Sequence, residues 1–93
     1  MEEKIKIIQN ILPEITRYNM QDTSRLIKME IGSGINVENK EQILLSISAY
    51  RRDQEGDPKM DWKLWVYEDI KKISISELKN NLSRVRKYMK ENR

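Results

Sequence analysis

The length and composition of this chain exclude several classes of function. Its 93 residues suffice for one domain, 1–93, and include neither cysteine nor histidine. Disulfides, thiolate or imidazole metal ligands, cysteine nucleophiles and a histidine general base are thereby excluded. We therefore expect no cofactor and no enzymatic activity.

Charge is distributed unevenly along the chain. Residues 1–57 hold 8 basic and 10 acidic side chains, whereas residues 58–93 hold 10 basic and 5 acidic ones. A positive C-terminal third favours a polyanionic partner such as nucleic acid. No segment has the pattern of a signal peptide or the length of a membrane span, so we expect a cytoplasmic protein with no membrane partner.

The N-terminal segment predicts a helix over Glu2–Ile11. Apolar residues recur three and four positions apart, at Ile5, Ile8, Leu12 and Ile15. Pro13 lacks an amide donor and clashes with the preceding turn. We therefore predict a kink or break near Leu12, followed by a short turn through Tyr18.

Alternating apolar and charged residues predict a first strand over Leu26–Ile31. The Gly32–Gly34 segment predicts a hairpin turn, which leads into Ile35–Glu38.

Two further segments, 42–52 and 59–67, predict a central hairpin joined by the turn-rich residues 53–58. One register places apolar residues opposite each other along a whole face, pairing Arg52 with Lys59, Ala49 with Trp62, Ile47 with Leu64 and Leu45 with Val66. Apolar residues in 60–73 also fit one face of a helix. The alternation of residues 60, 62, 64 and 66 beside a matching strand favours the hairpin.

The opposite face of this hairpin is predicted to carry aromatic and basic side chains. Five of them form the candidate stacking and phosphate-binding surface: Tyr50, Arg52, Lys63, Trp65 and Tyr67. An exposed ring stacks on a nucleic-acid base while neighbouring cations contact phosphates. Alternatively, a helix covers this face and the rings are buried.

The C-terminal segment predicts a long helix over Ser76–Asn92, capped by Ser74 or Ser76. Its apolar stripe comprises Ile75, Leu78, Leu82, Val85 and Met89. Such a stripe fits either packing on a sheet or a homodimer through this helix. Basic residues gather on the other side, and three of them are predicted to attract nucleic acid: Lys79, Arg86 and Lys90. A solvated basic face is the plainer interpretation.

The run Ile43–Lys59, with Tyr50 ending a strand and Asp53–Gly56 after it, resembles the positive-cofactor-four family of single-stranded-DNA-binding coactivators. The resemblance covers roughly residues 31–89. It implies a curved antiparallel sheet backed by a C-terminal helix, a dimer, and single-strand binding through basic and aromatic sheet residues. The chain departs from that family at Lys72–Ile75, which lacks the family's glycine, and in its N-terminal helix.

A second likeness competes with the first. Residues 69–87 are similar to the helix-turn-helix of sigma-factor-like regulators, which would make Lys79, Asn80, Ser83 and Arg86 base-reading residues. Lys71 falls where that motif has an apolar residue.

The sequence thus predicts an α+β fold with an N-terminal helix, an antiparallel sheet and a long C-terminal helix. Its predicted function is binding of single-stranded nucleic acid with little sequence specificity. The alternative is a small inhibitor or adaptor that binds a protein partner, of the kind that mobile elements encode.

Overall fold

The computed structural model describes residues 2–53 and 60–93, with side chains from residue 68 onward in the second range. Its elements follow the chain in the order α1 (Glu2–Met20), β1 (Arg25–Ile35), β2 (Glu41–Arg51), β3 (Met60–Asp69) and α2 (Ile75–Glu91). The strands form an antiparallel sheet in the order β1-β2-β3. The predicted α+β class is confirmed.

Both helices pack on one face of the sheet, and the core lies between these two layers. The sheet contributes Ile27, Leu45, Ile47 and Ala49, all at most 2% exposed. The helices contribute Ile8, Ile11, Ile15 and Tyr18 from α1, and Leu78, Leu82, Val85, Tyr88 and Met89 from α2. Full burial of one such aliphatic side chain stabilises a fold by roughly 1.5–3 kcal/mol.

Two contacts at opposite ends of the helices show that α1 and α2 run in the same direction. Lys4 Nζ donates to the carbonyls of Ile70 (2.9 Å) and Lys71 (3.3 Å), just before α2 begins. Tyr18 Oη donates to the carbonyl of Asn92 (3.2 Å), just after α2 ends. The C-terminal ends of both helices therefore lie together.

Helix α1 has no break near Leu12 and no turn before Tyr18, so those parts of the prediction are wrong. The helix spans 19 residues in all, Glu2–Met20, with Pro13 in its interior. Proline in a helix interior costs about 3 kcal/mol, but burial of Ile15 and Tyr18 beyond it contributes roughly 1.5–3 kcal/mol each. Packing of the apolar face therefore outweighs the local penalty.

The predicted turn at Gly32–Gly34 is also wrong, because β1 continues through both glycines to Ile35. Asparagines form the turn instead. The Asn36 side-chain oxygen accepts from the amides of Glu38 (2.9 Å) and Lys40 (3.0 Å), and Asn39 adopts a φ of 59°. Asparagine tolerates this left-handed conformation better than most residues.

Residues 60–69 form strand β3, so the helical alternative for this segment is wrong, as is the predicted register. The observed partners are Leu45 with Glu68 and Ile47 with Val66. Beyond an irregularity they become Ala49 with Asp61 and Tyr50 with Met60. Four residues of β3, 62–65, thus lie across from the single residue Ser48 of β2. The predicted partner Lys59 lies outside the described residues.

Candidate nucleic-acid interface

Helix α2 begins where Ser74 caps it. The Ser74 hydroxyl accepts a hydrogen bond from the amide of Glu77 at 3.1 Å, with an extended backbone at Ser74. A serine at this position satisfies an amide that has no partner within the helix. The cap sets where α2 begins. The apolar stripe sets which side of α2 packs on the core and which side faces outward.

The apolar stripe of α2 is buried in the core of the protein. Leu78 and Leu82 are fully buried, and Val85 and Met89 are at most 4% exposed, against α1 and the sheet. This stripe therefore does not offer a seam for the predicted homodimer through the C-terminal helix. The basic side chains of α2 consequently point away from the sheet.

A cleft of about 270 Å³ lies between the C-terminal halves of α1 and α2, and we call it the basic cleft. Its lining consists of Glu14, Arg17, Tyr18, Gln21, Arg86, Met89, Lys90 and Arg93. Four cations thus surround one carboxylate. Two of the predicted residues, Arg86 and Lys90, lie here.

The carboxylate of Glu14 is paired with Arg86. Arg86 Nη2 lies 2.9 Å from Glu14 Oε2, and Arg86 Nε donates to both carboxylate oxygens at 3.0 and 3.3 Å. Both side chains are partly exposed, so the pair adds little stability but fixes the guanidinium across the two helices. Arg86 is therefore only partly available to a ligand.

A neighbouring cleft of about 290 Å³ continues the basic cleft toward the start of α2. It is lined by Ile7, Asn10, Lys79, Leu82, Ser83 and Arg86. Arg86 borders both clefts, and we call the two adjacent clefts together the groove; Lys90 lines one of them and Lys79 the other. At 1.5 Å per residue the two positions are about 16 Å apart along α2.

Neither helix covers the outer face of the sheet, because both pack on the other face; Lys28 and Glu30 are exposed there, whereas Ser48 beside Lys28 is 4% exposed. The Lys28 and Glu30 side chains there are 57% and 60% exposed, and their charged atoms lie 3.0 Å apart. The hydrogen bond that Lys28 donates to the Glu30 carboxylate, followed by the charge of that carboxylate, raises the pKa of Lys28 above its ordinary value. Tyr50 lies on this face and is half-buried. This pair leaves little net positive charge beside Tyr50.

Three predicted members of this face are in β3: Lys63, Trp65 and Tyr67. The backbone of Tyr67 pairs with Ser46, and positions 63 and 65 fall within the irregular segment. Their side chains lie outside the described residues, so the stacking surface stays a prediction.

Arg52 serves a different purpose from the predicted one. Its guanidinium donates to the carbonyl of Asn19 near the end of α1, and its backbone amide donates to Ser24 (2.9 Å). The final carbonyls of a helix lack partners within the helix and attract cations. Arg52 is thus drawn away from the sheet's outer face, and its predicted contact with phosphate has no support in this arrangement.

Sequence reasoning missed Arg17 and Arg93. Arg17 follows Glu14 by three positions on the outward side of α1, a spacing that indicates a shared helix face. The predicted end of α1 near Leu12 concealed this signal. Arg93 comes after α2 ends, where helical periodicity gives no information.

The described residues contain no group of three or more acidic, histidine or cysteine side chains placed to hold a metal ion. None of their helices combines the length and apolar character needed to cross a bilayer.

The helix-turn-helix alternative, placed at residues 69–87, lacks the first helix of that motif, since residues 70–73 form turns and a bend between β3 and α2. Comparisons with protein families, curated proteins and solved structures found no match to this chain. The resemblance to the positive-cofactor-four family therefore stays a prediction.

Proposed function

We propose that this protein binds single-stranded nucleic acid with little sequence specificity, holding phosphates in the basic cleft and along the groove to Lys79. The observation that carries the proposal is the group of four cations around one carboxylate. Arg17, Lys90 and Arg93 form no ion pair within the described part of the chain. These three side chains are free to neutralise phosphates and release counterions.

The helix dipoles account for part of this charge. The C-terminal ends of α1 and α2 lie together, and each favours a nearby cation. Two such ends carry roughly one negative charge between them. Four cations less one carboxylate exceed that requirement, so a positive surplus faces solvent.

Low sequence specificity follows from the chemistry of the cleft. Its aromatic residue, Tyr18, is 3% exposed and its hydroxyl is bonded to Asn92, so it is not placed to stack on a base. Contacts to phosphates position a nucleic acid without distinguishing its sequence.

The preference for single strands rests on the sheet-face prediction. Tyr50 is half-buried on a face that the helices leave open, and Trp65 and Tyr67 belong to the adjacent strand. Stacking of an exposed ring on an unpaired base contributes roughly 1–3 kcal/mol. The paired bases of a duplex offer no comparable surface.

Charge-neutralising variants test the role of the cleft. The triple variant Lys79→Gln, Lys90→Gln, Arg93→Gln is expected to weaken binding of a fluorescently labelled oligonucleotide and to flatten its salt dependence, by about 0.7 in logarithmic slope per lost phosphate contact. The matched control, Lys6→Gln, Lys71→Gln, Lys72→Gln, removes the same charge outside the groove. Equal losses in both triple variants would reject the cleft as the binding site.

The sheet-face prediction has its own test. Lys63→Gln with Trp65→Ala is expected to reduce affinity for a single strand while leaving affinity for a duplex of the same length unchanged. Circular dichroism confirms that the variant is folded. Unchanged single-strand affinity in the folded variant would remove the stacking surface from the proposal.

A protein-binding adaptor is the second candidate function. It is favoured by exposed apolar side chains at the β1–β2 end of the molecule, where Ile35 is 72% exposed and Val37 is fully exposed. Salt separates the two functions, because affinity for nucleic acid falls steeply with salt and an apolar interface responds weakly.

A further inference from the structure

The outer edge of β1 divides into a closed part and an open part. The side chain of Asn19 occupies the edge at Ile27: its oxygen accepts from the Ile27 amide and its nitrogen donates to the Ile27 carbonyl, both at 2.8 Å. Thr23 Oγ1 donates to the carbonyl of Arg25 at 2.6 Å. Side chains therefore take the place of a neighbouring strand at the start of β1.

The hydrogen bonds at Ile27 also show which backbone groups along the rest of β1 face the outer edge of the sheet. Backbone groups alternate in direction along a strand, so Met29, Ile31, Ser33 and Ile35 present their amides and carbonyls to the same outer edge. Within the described residues these groups have no hydrogen-bond partner. Such an edge is a template for another strand.

The same stretch exposes apolar side chains that the helices leave uncovered. Ile31 is 49% exposed and Ile35 is 72% exposed, on the face that is buried farther back at Ile27. Open backbone groups and apolar side chains thus coincide at one end of β1. A partner for this stretch must form hydrogen bonds with the open backbone groups and cover the apolar side chains.

We propose that a second copy of this chain adds to the edge, pairing residues 31–35 of β1 antiparallel with the same residues of its partner. A twofold axis at Ser33 places Ile31 opposite the partner subunit's Ile35, and the reverse, so each exposed isoleucine meets another. It also brings the Lys28–Glu30 pair level with the turn in which the partner's Glu38 pairs with Lys40, so that Lys28 and Glu38, which carry opposite charges, lie across from each other. The result is a continuous six-stranded sheet.

Self-complementarity is what selects a second copy over an unrelated peptide. One segment supplies both halves of every pair about the axis, whereas the capped start of β1 prevents the pairing from extending past Ile27. The pairing uses neither the basic cleft nor α2, and it stands or falls independently of nucleic-acid binding.

Sedimentation equilibrium with surface variants tests the interface. The native chain is expected to dimerise reversibly, and Ile35→Lys is expected to raise the dimer dissociation constant about tenfold or more, because it buries a charge opposite Ile31 of the partner. Met20→Lys removes an equally exposed apolar side chain, 80% exposed, at the end of α1 and should leave the constant unchanged.

Cysteine cross-linking tests the register, since the chain has no cysteine of its own. Ser33→Cys is expected to form a covalent dimer on mild oxidation much faster than the exposed control Ser83→Cys. This test does not depend on Ile35→Lys remaining folded. A monomer at every concentration, a dimer that Ile35→Lys leaves intact, or equal cross-linking at the two positions would overturn the proposal.

Discussion

The Asn19 side chain forms two hydrogen bonds with the edge of β1 that a neighbouring strand would form elsewhere in a sheet. Its amide group exchanges two hydrogen bonds with Ile27, while its own carbonyl accepts from Arg52. The end of α1, the edge of β1 and the end of β2 thus meet at one residue, through its side chain and its main-chain carbonyl. A single asparagine couples three elements that are distant in sequence.

Asn19→Ala is expected to lower the free energy of unfolding by about 1–3 kcal/mol, because it leaves a partly buried donor and acceptor of Ile27 unpaired. Urea denaturation measures the change. Asn19→Asp keeps the acceptor for the Ile27 amide but sets a second carboxylate oxygen against the Ile27 carbonyl at the end of α1, so it is also expected to lower stability. A loss under about 0.5 kcal/mol for the alanine variant would show that water replaces the amide fully.

The Lys28–Glu30 pair gives a prediction for pH. Because the folded pKa of Lys28 is raised, its contribution to stability is fully present below 10.5 and is lost as pH rises through the folded value. Glu30→Gln is expected to lower the pKa of Lys28 toward its ordinary value, as read by NMR titration of the lysine side chain. An unchanged pKa would contradict the observed pairing.

Among the helices and strands, the sequence predicts the bounds of those elements that a local residue pattern defines. The predicted bounds of α2 lie within one residue of the observed ones, because a single apolar stripe and a serine cap define them. The β2–β3 register was not predictable in this way. It depends on an irregularity near Ser48 that alternation alone cannot locate.

The basic cleft was only half predictable for the same reason. Arg86 and Lys90 belong to a single helix face, whereas Arg17 joins them only through the packing of α1 beside α2. Local penalties also misled the prediction for α1, since tertiary burial on both sides of Pro13 outweighs its cost.

Pro13→Ala tests that balance. Pro13 is exposed in the interior of α1, and alanine there is expected to raise the free energy of unfolding by about 1–3 kcal/mol by restoring a helical hydrogen bond. Thermal denaturation followed by circular dichroism measures the effect. The control is Gln9→Ala, a change in the same helix at an exposed side chain that forms no hydrogen bond within the described residues. A destabilised Pro13→Ala would mean that the proline serves the fold.

In the whole molecule, the helix layer carries the basic cleft and the sheet layer carries a separate surface on its outer face. Parallel helices bring two C-terminal ends and four cations to one side, and the sheet leaves its other face open. The edge of β1 provides a third surface, which is independent of both. The basic cleft, the outer face of the sheet and the edge of β1 are therefore three separate surfaces.

The most direct test of the proposed function is the affinity of the native chain for a labelled, unstructured single-stranded oligonucleotide, measured by fluorescence anisotropy over a series of salt concentrations. Engagement of about four phosphates predicts that the logarithm of the affinity falls linearly with the logarithm of salt, with a slope near −3. Absence of binding at low salt, or an affinity that does not change with salt, would contradict nucleic-acid binding through the basic cleft.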